Sequence, residues 1–354
     1  MLFEALTPHL ADPERQRQLL DIESRLVEHA FPPQLVIENT SWCNLSCIHC
    51  SHREMRRPKR HMARELWNTI VEEVGAEAPE CELWPTFYGE PLLLGDELWN
   101  RLDHAARAGC RNLVLNSNGT ALGGKNNIEK VLNSPLRRFI LSLDGLTRET
   151  FELVRNGARW ERVYPLVAEL CRKRQERGQQ YPIIIAQFSV MAENAHEAEA
   201  FRAYWHGRGA EVKIRPMLEW GAVGRVRSAT ISHASPFRIA CPWANNTMAI
   251  LEDGRATACA VDYEGAFSVG RAGETSLKAL WAALGTRLRT HHRAHRWHEL
   301  PALCQGCGDW QTAGARYDPP AVAGTRPFWY RDEAASCLPA ESGSGYLPAG
   351  SGSG

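Results

Sequence analysis

Three cysteines near the beginning of the chain have a spacing that can hold iron. Cys43, Cys47 and Cys50 lie in the run Cys-Asn-Leu-Ser-Cys-Ile-His-Cys, and an aromatic residue, His49, precedes the last of them. A [4Fe-4S] cluster has four iron corners and prefers a thiolate on each of them. A loop that offers three thiolates leaves one iron open to a ligand from outside the protein. The spacing therefore predicts a cluster with one open iron.

A structural zinc site is the alternative for this loop. Zinc binds cysteine and histidine in a tetrahedron, and either His49 or His52 could supply its fourth ligand. The spacing alone leaves both metals open, so the choice depends on residues farther along the chain.

Four later cysteines form a second group, made of Cys241, Cys259, Cys304 and Cys307. The segment 247–261 has the pattern of a hairpin that turns at Asp253-Gly254, which would bring the first two of these cysteines together. A predicted helix over 276–284 leads to the last two. On spacing alone, this group also suits either a structural zinc or an iron–sulfur cluster.

Strand and helix patterns alternate from about residue 35 to about residue 217. Helical spacing at 13–29 predicts a helix that caps the assembly. Strict alternation predicts parallel βαβ units with right-handed crossovers, and six such units would form an open partial (β/α)6 barrel of the α/β class. The predicted strands are 35–38, 83–87, 112–115, 139–143, 183–190 and 212–215, and helices are predicted at 63–74, 97–108 and 163–177.

The chain resembles the radical S-adenosylmethionine (SAM) enzymes in its three-cysteine loop and in the segment Tyr88-Gly89-Glu90-Pro91. That segment is similar to the Gly-Gly-Glu-Pro segment of the family, whose backbone receives the SAM amine. Tyr88 stands where the family usually has its first glycine, which narrows the space above the backbone. The resemblance implies that the open iron is chelated by the methionyl amine and carboxylate of SAM. It also implies that reduction cleaves SAM to a 5′-deoxyadenosyl radical, which abstracts hydrogen.

Two further segments are similar to the same family. The run from Leu115 to Thr120 resembles its Thr-Asn-Gly strand end, and Ser142-Leu143-Asp144-Gly145 resembles its Ser-Leu-Asp-Gly segment. Each segment follows a predicted strand, at the rim where ligands bind in such folds. By the resemblance, Ser142 and Arg155 would meet the SAM carboxylate or ribose. The cofactor-binding residues implied are His49, Tyr88, Gly89, Glu90, Pro91, Asn118, Ser142, Asp144 and Arg155.

The second cysteine group is similar to the SPASM and twitch extensions of radical SAM enzymes. Twelve residues separate Cys241 from Gly254 and four separate Gly254 from Cys259, as in the opening of those domains. A full SPASM domain would continue with three more cysteines after Cys307, whereas Cys337 alone follows here. The resemblance implies a twitch domain with one fully ligated auxiliary [4Fe-4S] cluster, and hence two clusters in the chain.

A fully ligated cluster cannot chelate substrate, so we expect it to take an electron from a substrate radical. The net reaction would be dehydrogenation of an alcohol in a sugar or aminocyclitol during natural-product biosynthesis. The aminocyclitol dehydrogenases among the radical SAM enzymes with twitch domains catalyse such a reaction. Epimerisation, with Cys337 returning a hydrogen, is the second alternative. Peptide maturation is the third, disfavoured because only about 35 residues precede the cluster strand. A zinc-stabilised binding module is the non-enzyme alternative.

Polar residues at the carboxyl rim of the strands are the candidates for substrate contact: Glu38, Tyr88, Asn116, Gln187, Arg215 and Glu219. Of these, Arg215 or Glu219 would take the proton released on oxidation. A basic run at 52–64 is predicted to be a solvated face that also steers an acidic flavodoxin or ferredoxin to the first cluster, with Arg56, Arg57 and Arg60 as its central charges.

The predicted division of the chain is a helical cap (1–34), the barrel (35–220), the twitch domain (221–318) and an extension with a Gly/Ser tail (319–354). Lys and Arg number 41 and Asp and Glu number 41, so nucleic acid is not expected as a partner. The sequence contains neither a signal peptide nor an apolar stretch of roughly 18 residues, so we expect a cytoplasmic protein that does not span a membrane. His291, His295 and His298 are predicted to share one helical face, exposed rather than metal-binding.

Overall fold

The computed structural model describes residues 10–219, 228, 231, 236–259, 261–313, 316–318 and 326–327. Cys337 and most of the predicted extension lie outside this part of the chain. The strands are β1 Gln34–Ile37, β2 Glu82–Trp84, β3 Asn112–Ser117, β4 Arg138–Ser142, β5 Ile183–Val190, β6 Glu211–Pro216, β7 Thr247–Ile250, β8 Arg255–Thr257, β9 Gly270–Arg271, β10 Arg316–Asp318 and β11 Arg326–Pro327.

The α-helices are α1 Pro13–Ser24, α2 Arg64–Glu77, α3 Asp96–Arg107, α4 Asn127–Leu132, α5 Arg148–Val154, α6 Trp160–Glu176, α7 Ala198–His206, α8 Pro242–Asn246, α9 Leu277–Leu284, α10 Thr290–Arg293 and α11 Ala302–Gln305. Short 3₁₀ turns lie at Ser51–Arg53, Pro91–Leu94, Ala195–Glu197, Trp297–Glu299 and Asp309–Thr312, and a π-helical turn at Gly285–Arg289 continues α9. None of the described helices is both long and apolar enough to cross a bilayer.

The six predicted strands are present and pair in parallel in chain order from β1 to β6. Successive residues of β1 pack on opposite faces of the sheet. Leu35 and Ile37 join the large core between the sheet and the helices. Val36 instead joins a smaller apolar cluster with Trp84 and Ile140. Apolar side chains on both faces are typical of a parallel sheet that is covered by helices on one side and curves around an interior on the other.

The C-terminal hairpin extends this sheet, which the sequence did not predict. β7 and β8 form the expected antiparallel pair, and the turn includes Gly254 with a φ of 90°. β7 also pairs in parallel with β1, so that Gln34 lies beside Thr247 and Ile37 beside Ile250. The strand order is β11-β10-β6-β5-β4-β3-β2-β1-β7-β8-β9. The two cysteine groups are therefore connected through one hydrogen-bonded sheet.

Most of the predicted elements have different bounds in the structure, and three of them are described here. α1 ends at Ser24 rather than at residue 29, because the following backbone bonds to C-terminal residues: Asn245 Nδ2 donates to the Val27 carbonyl at 3.1 Å. β2 ends at Trp84 because Pro85 has no N–H for a ladder bond. β3 instead runs two residues farther than predicted, to Ser117.

The predicted histidine face is wrong. α10 ends at Arg293, His295 has a φ of 53°, and His298 lies in a separate 3₁₀ turn. His291 Nδ1 is 2.9 Å from Glu299, and His295 Nε2 is 2.8 Å from Glu23. These two histidines are therefore paired with acidic side chains in different directions rather than aligned along one helix.

Candidate active site

The three-cysteine loop follows β1 and is tied to the end of α5 by backbone bonds. The Ser46 N–H donates to the Asn156 carbonyl at 2.9 Å, and the Ile48 N–H donates to the Val154 carbonyl at 3.1 Å. The Cys50 N–H closes a turn on the Cys47 carbonyl at 3.2 Å. The loop is thus a fixed part of the carboxyl rim.

Burial makes the three thiols poor acids in the absence of metal. It raises the pKa of Cys43 to about 11 and that of Cys50 to about 12, and the Cys47 thiol is shifted in the same direction. Each thiol also lies within electrostatic reach of another cysteine of the loop. Three thiolates so close together and so buried need a compensating positive charge. The donor set therefore fits an iron cluster, whose irons supply that charge.

Asp144 connects the cysteine loop to a buried arginine. Asp144 has a φ of 57°, and its Oδ1 accepts a hydrogen bond from the Ser189 N–H at 2.7 Å. Its Oδ2 forms an ion pair with Arg155, whose Nη1 donates to Cys47 Sγ at 3.6 Å. His49 Nε2 is 3.7 Å from the same Oδ2. Asp144 thus holds His49 and Arg155 at the thiols.

His49 has an unused polar atom at this position. Burial lowers the pKa of His49 to about 3, so the ring is neutral at ordinary pH. Its Nδ1 is buried and has no hydrogen-bond partner among the residues that the structure describes. A buried polar atom without a partner is costly, and a bound ligand with a polar group would satisfy it. His49 would therefore suit contact with a polar cofactor such as SAM, bound beside the three cysteines.

Gly89 and Glu90 hold the loop after β2 against the cysteine loop. A Cβ on Gly89 would lie 1.9 Å from the Thr40 carbonyl oxygen, so only glycine fits. The Glu90 N–H donates to the Trp42 carbonyl at 2.8 Å, and Pro91 begins the 3₁₀ turn that follows. These contacts make the segment a backbone wall of the site.

The Glu90 carboxylate connects the loop after β2 to the loop after β3 through hydrogen bonds. Its oxygens accept the Leu92 N–H at 3.0 Å, the Ser117 hydroxyl at 2.8 Å and the Asn118 N–H at 2.7 Å. Glu90 is 2% exposed. Its side chain therefore orients the end of β3, and the backbone is the part of this residue that borders the site.

Substituting Gly89 with Ala is expected to abolish 5′-deoxyadenosine formation and to lower iron retention at the first cysteine group. The added methyl group overlaps the Thr40 carbonyl, which forces the cysteine loop away from the wall. Gly124→Ala is the matched control, since its nearest neighbour would lie at an ordinary 3.4 Å. Iron analysis and chromatography of the SAM cleavage products check both variants. Normal SAM cleavage by Gly89→Ala would contradict this role.

The ends of β3, β4 and β5 bring the remaining predicted residues to the same rim. Asn118 Nδ2 donates to Asn44 Oδ1 at 3.0 Å and is 4.0 Å from Cys43 Sγ. Ser142 Oγ donates to Asn116 Oδ1 at 2.8 Å and accepts from Gln187 Nε2 at 3.1 Å. A row of uncharged polar side chains therefore crosses three neighbouring strands, at the ends of β3 and β4 and within β5.

The second cysteine group surrounds one cavity. Cys241, Cys259, Cys304 and Cys307 all line it, together with Leu218, Arg238, His292 and Asp309. Burial raises the pKa of Cys241 to about 11 and that of Cys304 to about 12. Four buried thiols around one cavity are a donor set for a metal centre with a full cysteine complement.

Four cysteine thiols match the donor number of a structural zinc ion and of a fully ligated cluster, and the two differ in the spacing that they require. Four thiolates on one zinc ion converge to about 2.3 Å from the metal. In the described part of the chain, no three His, Cys, Asp or Glu side chains are grouped closely enough to hold one metal ion. A cluster places a separate iron at each thiolate and so accepts more widely spaced cysteines.

Tyr88 is close enough to both cysteine groups to interact with them electrostatically. Burial raises its pKa well above the ordinary value, and the charges of Cys50 and Cys259 raise it further, so the hydroxyl is within electrostatic reach of both groups. Its ring is 5.6 Å from the ring of Tyr263, edge to face. The departure from glycine at this position thus places a buried phenol ring within electrostatic reach of both candidate metal centres.

Arg57 is not part of a solvated face, which corrects the sequence prediction. It is 7% exposed, whereas Arg56 and Arg60 are exposed. Its guanidinium pairs with Glu38 at 2.6 Å and also with Glu252. Because Glu38 follows β1 and Glu252 follows β7, Arg57 connects the barrel to the hairpin.

The predicted proton acceptors lie where β6 leaves the barrel. Arg215 Nη1 donates to the Pro216 carbonyl at 3.3 Å. The Glu219 N–H donates to Asp309 Oδ1 at 2.7 Å, and Glu219 Oε1 accepts the Ser228 N–H at 2.9 Å. Glu219 is thereby fixed beside the four-cysteine cavity. Sequence reasoning missed Asp309, Glu252 and His292, since no spacing connects them to the cysteines.

A parallel barrel with three cysteines at its carboxyl rim, next to a four-cysteine cavity, defines an iron–sulfur enzyme class. Residues 37–185 match the sequence model of the Radical SAM superfamily, and residues 241–308 match that of SPASM, an iron–sulfur cluster-binding domain. The chain carries a radical SAM domain and a SPASM domain. Both families imply [4Fe-4S] clusters and SAM as cofactors.

Solved structures share this fold at low sequence identity. SuiB of Streptococcus suis bound to its precursor peptide SuiA is 15% identical, with a TM-score of 0.61, over 86% of this chain and 76% of that chain. BtrN in complex with AdoMet and 2-DOIA is 16% identical, with a TM-score of 0.57, over 79% and 94%. The protein anSMEcpe with bound AdoMet is 17% identical, with a TM-score of 0.55, over 78% and 89%. Compared with curated proteins by sequence alone, the chain has no significant match.

Proposed function

We propose that the protein is a radical SAM oxidoreductase with two [4Fe-4S] clusters, which dehydrogenates an alcohol of a sugar or aminocyclitol in natural-product biosynthesis. The four-cysteine cavity carries this proposal. It offers a thiolate for every iron of a cluster, so an auxiliary cluster there has no open corner for substrate and is suited to electron transfer.

Cys43, Cys47 and Cys50 would hold the first cluster, and the rim residues around Asp144 would hold SAM. When bound, reduced cluster and SAM supply a 5′-deoxyadenosyl radical that abstracts a hydrogen atom from a substrate carbon. The residues of the chain would position the substrate and exclude water from the site. The polar row of Asn116 and Gln187 offers uncharged hydrogen-bond partners, which suit the hydroxyl groups of a sugar-like substrate.

Glu219 is the better candidate for the proton acceptor. Arginine stays protonated in proteins and has no free lone pair for a proton, so Arg215 is better suited to orient the substrate. Glu219 lies beside Leu218, which lines the four-cysteine cavity. Once a hydrogen atom has left the substrate carbon, the remaining carbon radical would lose its electron toward the four-cysteine cavity and its hydroxyl proton toward Glu219, and the carbonyl product would form.

Product analysis tests the proposal. With anaerobically reconstituted protein and a panel of sugars and aminocyclitols, we expect a product lighter by two hydrogen atoms and equimolar with 5′-deoxyadenosine. The Cys304→Ala/Cys307→Ala variant should still cleave SAM but lose the oxidised product. A product of unchanged mass in ordinary water, which gains one deuterium when the reaction is run in heavy water, would instead indicate an epimerase. Turnover of peptides alone would indicate a maturase, and zinc without SAM cleavage would indicate a binding module.

Electron delivery by an acidic flavodoxin or ferredoxin is a second part of the proposal. Reversing the exposed charges, Arg56→Glu and Arg60→Glu, should slow flavodoxin-driven turnover several-fold and leave dithionite-driven turnover unchanged, because opposite charges speed association. Arg107→Glu and Arg111→Glu, two exposed residues before β3 at the opposite rim, are the controls. Steady-state rates at low and high salt measure the effect. Equal slowing with both reductants would contradict it.

A further inference from the structure

His292 forms part of the wall of the four-cysteine cavity. It is 3% exposed, and the Cys241 N–H donates to its Nδ1 at 3.4 Å. The Trp297 ring packs edge-on against the imidazole, with 6.1 Å between ring centroids. Because Nδ1 accepts a hydrogen bond, the neutral ring carries its proton on Nε2.

The Nε2 of His292 is buried and has no hydrogen-bond partner among the described residues. A buried N–H group without an acceptor is unfavourable, and most such groups in proteins have one. The cavity that this ring lines is surrounded by cysteine sulfurs. An iron–sulfur cluster placed there would supply sulfide and thiolate acceptors.

We propose that the Nε2–H of His292 donates a hydrogen bond to a sulfur of the auxiliary cluster and raises the reduction potential of that cluster. Hydrogen bonds to cluster sulfurs are one of the means by which a protein sets this potential. Reduction adds negative charge to the cluster, and a donor fixed by Cys241 and Trp297 stabilises the reduced form. The charges of Arg238 and Asp309 in the same wall act in opposite directions.

A hydrogen bond from His292 to the auxiliary cluster would affect the direction of electron flow. This inference rests on the proposed function, in which the auxiliary cluster accepts an electron from the substrate. A higher potential favours that acceptance. His292 is then a positioning residue for redox chemistry and does not itself touch the substrate.

Pulsed EPR with ¹⁵N-labelled histidine tests the contact without altering His292. The Cys43→Ala/Cys47→Ala/Cys50→Ala background leaves the auxiliary cluster as the only source of signal, and His292 is the histidine that lines its cavity in the described part of the chain. A weak ¹⁵N coupling to the reduced cluster is expected. A strong coupling would mean direct iron ligation, and either that result or no coupling overturns the inference.

Redox titration of variants in the same background tests the effect on potential. His292→Phe keeps the ring volume but removes the donor, and the midpoint potential should shift to a more negative value. His292→Gln restores a side-chain N–H and should return the potential toward that of the parent. His291→Phe is the matched control, because its side chain pairs with Glu299 outside the cavity wall and should leave the potential unchanged.

Iron counting on the same samples distinguishes failure of the proposed role of His292 from failure of the two-cluster proposal. About four irons per chain with an unchanged potential in His292→Phe would overturn the role of His292 and leave the two-cluster proposal intact. Absence of iron from the parent background would overturn both. If His292→Phe alone fails to bind iron, the labelled parent protein still decides the contact.

Discussion

Replacing Cys43, Cys47 and Cys50 together by Ala is expected to lower the iron content from about eight to about four per chain and to abolish 5′-deoxyadenosine formation. The loop supplies all three protein thiolates of the first cluster, and His49 and Arg155 around it would have no cofactor to contact. The auxiliary site lies in a separate cavity with its own four cysteines and should keep its iron. Iron and sulfide analysis with chromatography of SAM products measures both effects.

Cys171→Ala is the matched control for this loss. Cys171 is buried in α6 within the main core, and its removal should leave iron content and SAM cleavage unchanged. The reciprocal variant, with the four auxiliary cysteines replaced, should retain about four irons and SAM cleavage. Bound zinc, or full iron content in the triple variant, would contradict the assignment of the two sites.

The parts of this fold that were predictable depend on local pattern. Side chains of parallel strands are apolar on both faces, so β4 and β5 stand out as apolar runs between helical segments. Motifs that follow such strands must gather at one rim, which is why Asn118, Ser142 and Asp144 were found near the cysteine loop. The cysteine groups were recognisable because metal chemistry restricts their spacing.

The remaining features depend on contacts between distant segments. Nothing in the pattern of β7 indicates that it pairs with β1, more than two hundred residues earlier. Because that pairing was invisible, so was the approach of Glu252 to Glu38. Arg57 was therefore assigned to a solvated basic run, because most arginines in segments of such composition are exposed. His292 was missed for the same reason, since its role depends on a cavity built from three separate segments.

Arg57→Met is expected to lower the free energy of unfolding by about 3–5 kcal/mol, because it leaves two buried carboxyl groups without their shared cation. Arg57 also donates from Nε to the Tyr263 carbonyl at 2.6 Å, and that bond would be lost too. Arg56→Met is the control, since an exposed substitution away from such contacts changes stability by about 0.5 kcal/mol or less. Urea unfolding of the reconstituted protein measures both variants.

A compensated variant separates charge from packing. In Arg57→Met/Glu38→Gln/Glu252→Gln the buried charges are removed together, and a large part of the lost stability should return. If Arg57→Met alone is as stable as the parent, the three side chains do not form the buried charge cluster that the distances indicate. No recovery in the triple variant would instead attribute the loss to the shape of the guanidinium and its bond to Tyr263.

The pH dependence of stability identifies which form of Glu38 the fold holds. Burial raises the pKa of Glu38 to about 8, with Glu252 adding to the rise and Arg57 opposing it. A carboxyl whose pKa is higher in the folded state favours folding while it is protonated. That contribution is complete below the ordinary carboxyl range and is lost as the pH rises toward the folded pKa of about 8. The stability of the parent protein should therefore fall between pH 5 and 8 more steeply than that of Glu38→Gln. Parallel curves for the two proteins would show that Glu38 is a carboxylate paired with Arg57 in the folded protein. The carboxyl group of Glu38 would then not be protonated at this junction between barrel and hairpin.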